Sequence, residues 1–156
     1  TSGTSVTISG TKVLSGRDLK TGEFKFVIYD DQGNKIGEAL NGADGKFAFE
    51  KIDYASVGDF TYTVKEDSSS ALKGVTYDDT VYTVKVKVTD DGKGNLTAGI
   101  QYEDGIGEIV FENTYKEEKA PPTGDNSNLI FYFALASLSA LGILALIYLK
   151  KKEHKA

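Results

Sequence analysis

The chain has 156 residues, 40% hydrophobic and 26% charged, with a formal net charge of −5, enough for one ordinary globular domain and a tail. It contains no Cys, and its one His is His154, so disulfides, thiolate nucleophiles, zinc–thiolate sites and imidazole catalysis are excluded ahead of the tail. Up to Thr123 there are 21 acidic and 14 basic side chains, and this excess of negative charge excludes nucleic acid and anionic lipid surfaces as favoured partners.

Period-two alternation dominates in chain order, which predicts strands. Val6, Ile8 and Leu14 share one face of the first segment, and Phe24, Phe26 and Ile28 share one face of the next. Phe47 and Phe49 repeat the pattern, followed by Phe60, Tyr62 and Val64. Then come Tyr82, Val84, Val86 and Val88, next Leu96, Ala98, Ile100 and Tyr102, and last Ile109 and Phe111. Thr83, Lys85 and Lys87 occupy the opposite face, as in a sheet wetted on one side. The breaks are turn chemistry: Asp31-Gln32-Gly33-Asn34, Asp44-Gly45 and Asp91-Gly92-Lys93-Gly94-Asn95. No stretch before Leu129 has a helical period. About seven strands in a domain of this size predict an all-β, immunoglobulin-like sandwich over residues 1–115.

The acidic turns do not predict calcium, because neither has the ligand offsets or the closing Glu of an EF-hand loop. Asp78 and Asp79, read as neighbours on a strand, point to opposite faces and cannot flank one bond. Asn95-Leu96-Thr97 matches a glycosylation sequon, but the pattern is too common to carry weight. No cofactor, metal site or hydrolase site is expected.

Three residues break the alternation in the same way. Lys12 has the parity of Val6, Ile8 and Leu14, Glu66 continues Phe60, Tyr62 and Val64, and Asn113 continues Ile109 and Phe111. Each strand thus turns one polar group towards its apolar side. Burying a lone charge is expensive, so a cation, an anion and an amide on core-facing positions are best placed together. One reading is a buried Lys12–Glu66 salt bridge with Asn113 hydrogen-bonded to it. The other is a covalent bond: burial lets Lys12 pass its proton to Glu66 and attack the Asn113 side-chain carbonyl, with Glu66 polarising that oxygen and shuttling protons as ammonia leaves.

Around these residues the chain resembles the streptococcal pilin isopeptide-linkage domain, an immunoglobulin-like family related to the B-type repeats of collagen adhesins. The resemblance is carried by Lys12-Val13-Leu14-Ser15-Gly16, Gly22-Glu23-Phe24-Lys25-Phe26, Gly45-Lys46-Phe47-Ala48-Phe49, Phe60-Thr61-Tyr62-Thr63-Val64-Lys65-Glu66, Gly74-Val75-Thr76-Tyr77-Asp78 and Phe111-Glu112-Asn113-Thr114-Tyr115. It implies an intramolecular bond between Lys12 and Asn113, with Glu66 as its proton shuttle. It also implies Gram-positive pili and wall-anchored adhesins as the setting. The Tyr-Pro-Lys core that supplies a polymerising lysine in pilins is absent, since the prolines are Pro121 and Pro122.

The end of the chain carries a second resemblance. Ala120-Pro121-Pro122-Thr123-Gly124 precedes an uncharged apolar run from Leu129 to Leu149, and Lys150-Lys151-Lys152 follow. About 20 apolar residues suffice to cross a bilayer as a helix, and the lysines predict a cytoplasmic C-terminus. Motif, helix and basic tail in this order resemble the LPXTG-like cell-wall sorting signal of Gram-positive surface proteins, with Ala120 where Leu is commonest. The resemblance implies a sortase as partner, cleavage at Thr123–Gly124, and attachment to peptidoglycan or a neighbouring pilin subunit.

The expected organisation is a crosslinked domain (1–115), a linker bearing the sortase motif (116–128), a transmembrane helix (129–149) and a basic cytoplasmic tail (150–156). Membrane contact is expected only through that helix before sorting, and the final location is the cell wall. A surface protein begins with Met and a secretory signal, so Thr1 is expected to be an internal position of a longer protein. The chain is expected to be a structural module rather than an enzyme, since its reactive groups consume themselves in one turnover. The alternative is a ligand-binding adhesin domain, using Tyr54, Tyr77 or Tyr115 to take a host ligand.

Overall fold

The computed structural model describes residues 2–120, and the first of its two compact units is Thr1–Glu117. Eleven strands form where β-branched and aromatic residues alternate with polar ones. They are β1 (Thr4–Val6), β2 (Ser9–Ser15), β3 (Lys25–Tyr29), β4 (Lys35–Leu40), β5 (Lys46–Ala48) and β6 (Ile52–Tyr54). These are followed by β7 (Gly58–Glu66), β8 (Val75–Thr76), β9 (Val81–Asp90), β10 (Leu96–Tyr102) and β11 (Ile109–Tyr115). A single 3-10 turn, Glu103–Gly105, is the one helical element among the described residues.

The strands make a five-stranded sheet in the order β10-β9-β7-β3-β4, a four-stranded sheet β5-β2-β11-β8, and a small β1-β6 pair. One core joins the two larger sheets: Phe26, Val64, Val84 and Val86 come from the first, and Phe47, Ile109 and Phe111 from the second. Phe26 stacks on Phe47 with ring centroids 3.8 Å apart and on Phe111 at 5.3 Å. Burying each such side chain contributes about 1.5–3 kcal/mol. Every neighbouring pair is antiparallel except β2 with β11, which run parallel and put Phe111 opposite Lys12 and Asn113 opposite Leu14.

The expected count of about seven strands is corrected to eleven among the described residues. The additional strands are β4, β6 and β8, together with a break that separates β1 from β2. Asp78 and Asp79 are also corrected: they lie in the connection between β8 and β9, not on a strand. The two acidic turns close on themselves. Asp30 Oδ1 accepts from the amides of Gln32 and Asn34, and Asp91 Oδ1 accepts from those of Lys93 and Asn95.

The apolar run 129–149, the basic tail and Pro121 to Gly124 of the sorting motif lie outside the described residues. Among those described, Ala120 is exposed, and no helix is long and apolar enough to cross a membrane.

Candidate functional site: a buried lysine, glutamate and asparagine

Four polar or charged residues are buried among those described: Lys12, Asn41, Glu66 and Asn113. Lys12 and Asn113 reach the core from β2 and β11 of one sheet, and Glu66 reaches it from the end of β7 in the other, paired with Phe26 of β3. Period two dictates this, since each continues the inward face of its strand. The sequence-predicted trio is therefore brought together between the sheets.

The three side chains share one oxygen. Lys12 Nζ lies 2.8 Å from Glu66 Oε1, with both side chains wholly sequestered from solvent. Asn113 Nδ2 donates to the same Oε1 at 3.0 Å. Lys12 Nζ nevertheless has no partner in hydrogen-bond geometry, and neither does Glu66 Oε2. The contact is thus close in distance and poor in direction, which is not how a stable buried ion pair is built. The Phe24 ring lies 4.7 Å from Nζ, and Phe24 in turn meets Tyr77 edge-on.

Burial pushes the Lys12 ammonium down from 10.5, and the Glu66 carboxylate close beside it opposes that without overcoming it. Burial pushes the Glu66 carboxyl up from 4.5 against the opposing pull of Lys12. Both directions favour a proton on the carboxyl and a neutral amine.

The Asn113 orientation is set from two sides. Its Oδ1 accepts from the Asp78 amide at 2.7 Å, a group that can only donate, so Nδ2 must face Glu66. This changes the role expected for Glu66: it meets the two nitrogens, while the carbonyl oxygen is held by Asp78. The Asp78 contact was not foreseen, because it is made by a main-chain N–H that no side-chain pattern announces. Its carboxyl is raised by burial but held below its usual range by hydrogen bonds from Thr80 and Glu112.

Asn41, also missed, has a structural task. Its Oδ1 accepts from the Phe24 amide at 2.8 Å, and its Nδ2 donates to the carbonyls of Lys20 and Gly42, which fixes the residue beneath Lys12. On the other side, the Lys12 amide donates to Gly45 O at 2.7 Å, and Gly45 takes a φ of 84° that suits glycine.

The tyrosines considered for ligand binding are engaged in packing. Tyr54 is buried with its hydroxyl 2.9 Å from that of Tyr62. The Tyr77 hydroxyl accepts from the Leu72 amide, and Arg17 stacks over Tyr115 while also pairing with Glu23. No group of three or more metal-ligating side chains occurs among the described residues.

Two sheets enclosing a buried lysine, glutamate and asparagine define an all-β domain with a polar trio in its core. Residues 8–116 match the model of the FctA family, described as the Spy0128-like isopeptide containing domain, and the chain belongs to that family. Among solved structures, the chain is similar to the major pilin protein (T-13) from Streptococcus pyogenes, at 20% identity and a TM-score of 0.49, covering 72% of this chain and 54% of that one. It is also similar to another Streptococcus pyogenes major pilin, at 21% identity and a TM-score of 0.47, covering 81% of this chain and 58% of that one. The chain thus spans a little over half the length of these pilins. No curated protein matches it.

Proposed function

We propose that this domain crosslinks itself through an isopeptide bond between Lys12 Nζ and Asn113 Cγ, with Glu66 moving the protons. We further propose that the crosslinked sandwich is a load-bearing module of a pilin or other wall-anchored surface protein. The observation that carries the reading is the convergence of Lys12 Nζ and Asn113 Nδ2 on one buried oxygen, Glu66 Oε1.

The chemistry balances on these atoms. Lys12 gives a proton to Glu66 and becomes a neutral nucleophile. Its lone pair adds to Asn113 Cγ, and the carbonyl π electrons move to Oδ1. The added nitrogen sheds a proton, Nδ2 gains one through the carboxyl, and the Cγ–Nδ2 bond breaks. One ammonia leaves, Glu66 is left protonated, and the new amide carries one hydrogen. The enclosing Phe24, Phe26 and Phe111 keep water from competing, and fixed strands supply the proximity. The reaction happens once per chain.

The position of the bond suits a mechanical task. Because β2 and β11 are parallel neighbours, a pull from the two ends shears them against each other. A link from Lys12 to Asn113 carries that tension across directly, so the strands between are not loaded. The sorting signal completes the proposal: a sortase cleaves Thr123–Gly124 and passes the new C-terminus to peptidoglycan or to a neighbouring subunit, after 129–149 has held the chain in the membrane.

Fragmentation mass spectrometry of a digest tests the bond. The reading expects one branched peptide joining the Lys12 and Asn113 segments. Linear peptides with an unmodified Lys12 and an intact Asn113 amide would overturn it.

A further inference from the structure

Asp78 grips the reaction centre from the loop between β8 and β9. Its amide donates to Asn113 Oδ1 at 2.7 Å. Its carboxylate binds the same strand one residue earlier, with Oδ2 accepting from the Glu112 amide at 2.8 Å. Asp78 Oδ1 is occupied by the Thr80 amide at 2.9 Å and by the Thr80 hydroxyl. A single residue therefore holds two consecutive positions of β11, and its N–H is aimed at the oxygen on which negative charge collects when an amine adds to Cγ.

From these contacts we infer that the Asp78 main-chain N–H is the oxyanion donor for crosslink formation, and that the Asp78 carboxylate is the positioning group that keeps it aimed at Asn113. The inference rests on the proposed Lys12–Asn113 bond. During addition the carbonyl π electrons settle on Oδ1, where the N–H stabilises them without giving up its proton. When the intermediate collapses, those electrons re-form the carbonyl, the Cγ–Nδ2 bond breaks and Nδ2 departs as ammonia on the side where Glu66 stands. Donor and proton shuttle thus occupy opposite ends of the same amide. A preorganised donor in a dry site needs no rearrangement as charge develops, and removing one such donor typically slows a reaction on the order of a hundredfold or more.

The charge of Asp78 works in the opposite direction. A nearby carboxylate favours the ammonium form of Lys12 and disfavours ionisation of Glu66. As a charge alone, Asp78 would shift Lys12 away from the free amine and slow the bond. As a grip on β11, it speeds the bond. The two roles give opposite signs for the same substitution.

The test follows ammonia loss by intact mass after a pulse of cell-free synthesis of the full chain in detergent, with translation then blocked. Asp78→Ala is expected to slow the loss on the order of tenfold to a hundredfold. Asp78→Asn, which removes the charge but keeps one carbonyl-type acceptor, is expected within a few-fold of wild type. Thr80→Val, a milder loosening, is expected in between. Rates are compared on chains whose circular dichroism matches wild type. In an unreactive Lys12→Met chain, the residue 78 amide proton is expected downfield and slow to exchange, and it should lose both properties when Asp78→Ala is added.

Asp78→Ala reacting at or above the wild-type rate overturns the inference, and so does Asp78→Asn being as slow as Asp78→Ala. A residue 78 amide that exchanges as freely as open loop also overturns it. Wild-type chains that never lose ammonia overturn the crosslink itself, and this inference with it.

Discussion

Replacing Asn113 with Ala removes the acceptor end of the bond and shows what the bond is worth. The proposed crosslink would close a loop of about 100 residues, and by analogy with a disulfide of that span it would constrain the unfolded chain by about 4–5 kcal/mol. The link would join strands that already lie side by side. The substitution also leaves the Asp78 amide without its acceptor, which costs on the order of 1–3 kcal/mol. Together these give roughly 5–8 kcal/mol, and about 4 °C per kcal/mol for a domain of this size implies a fall in Tm of at least 20 °C. Calorimetry of wild type and variant side by side is the assay. The hydrogen bonds alone account for a fall of only about 4–12 °C. A difference inside that smaller range would refute the crosslink's contribution to stability.

Other expectations follow from the same geometry. In the uncrosslinked Asn113→Ala chain, pH should act on the buried pair with two opposite slopes. Just above 4.5 the folded chain holds a Glu66 proton that the unfolded chain has lost, so stability falls as pH rises; below 10.5 the unfolded chain holds the extra Lys12 proton, so stability recovers as pH rises. Denaturant midpoints, taken as a difference from the same chain carrying Lys12→Met and Glu66→Gln, should therefore show a dip at intermediate pH; a flat difference would contradict the shifts. Gly45→Ala should both destabilise the fold, by at least about 1–3 kcal/mol for a side chain at positive φ, and slow ammonia loss. Its Cβ would come within 2.2 Å of Lys12 O, whereas Gly33→Ala meets nothing within 4 Å and should leave the rate unchanged. Thr123→Ala should leave the protein in the membrane fraction of a sortase-positive host, while wild type is recovered with the wall or pilus; wild type that stays detergent-extractable would remove the sorting proposal.

The buried trio was legible because period two assigns every strand residue a side before any partner strand is known. Lys12, Glu66 and Asn113 stand out as polar groups on inward positions, and the structure buries all three. Strand pairing was not legible in that way. Nothing in the residues of β2 or β11 announces that they run parallel as neighbours, because that contact joins opposite ends of the domain. Strand β4 escaped notice for a different reason. As an edge strand it turns Ile36 and Leu40 outward and buries Ala39, so its apolar residues lie on the wrong face for a hydrophobic pattern to find. Strands β6 and β8 are too short to show a period. The contact of Asp78 with Asn113 was not legible, because it is made by a main-chain N–H, which almost every residue possesses.

The central claim is that Lys12 and Asn113 are covalently joined and that Glu66 makes this possible. The intact mass of the purified wild-type protein tests it most directly, beside that of Glu66→Ala. The account predicts a wild-type mass short of the sequence mass by one ammonia. It predicts the full mass for Glu66→Ala, in which Lys12 and Asn113 are both present but no group carries the proton between their nitrogens. A wild-type protein at full mass, or a Glu66→Ala protein that loses ammonia as wild type does, would contradict it.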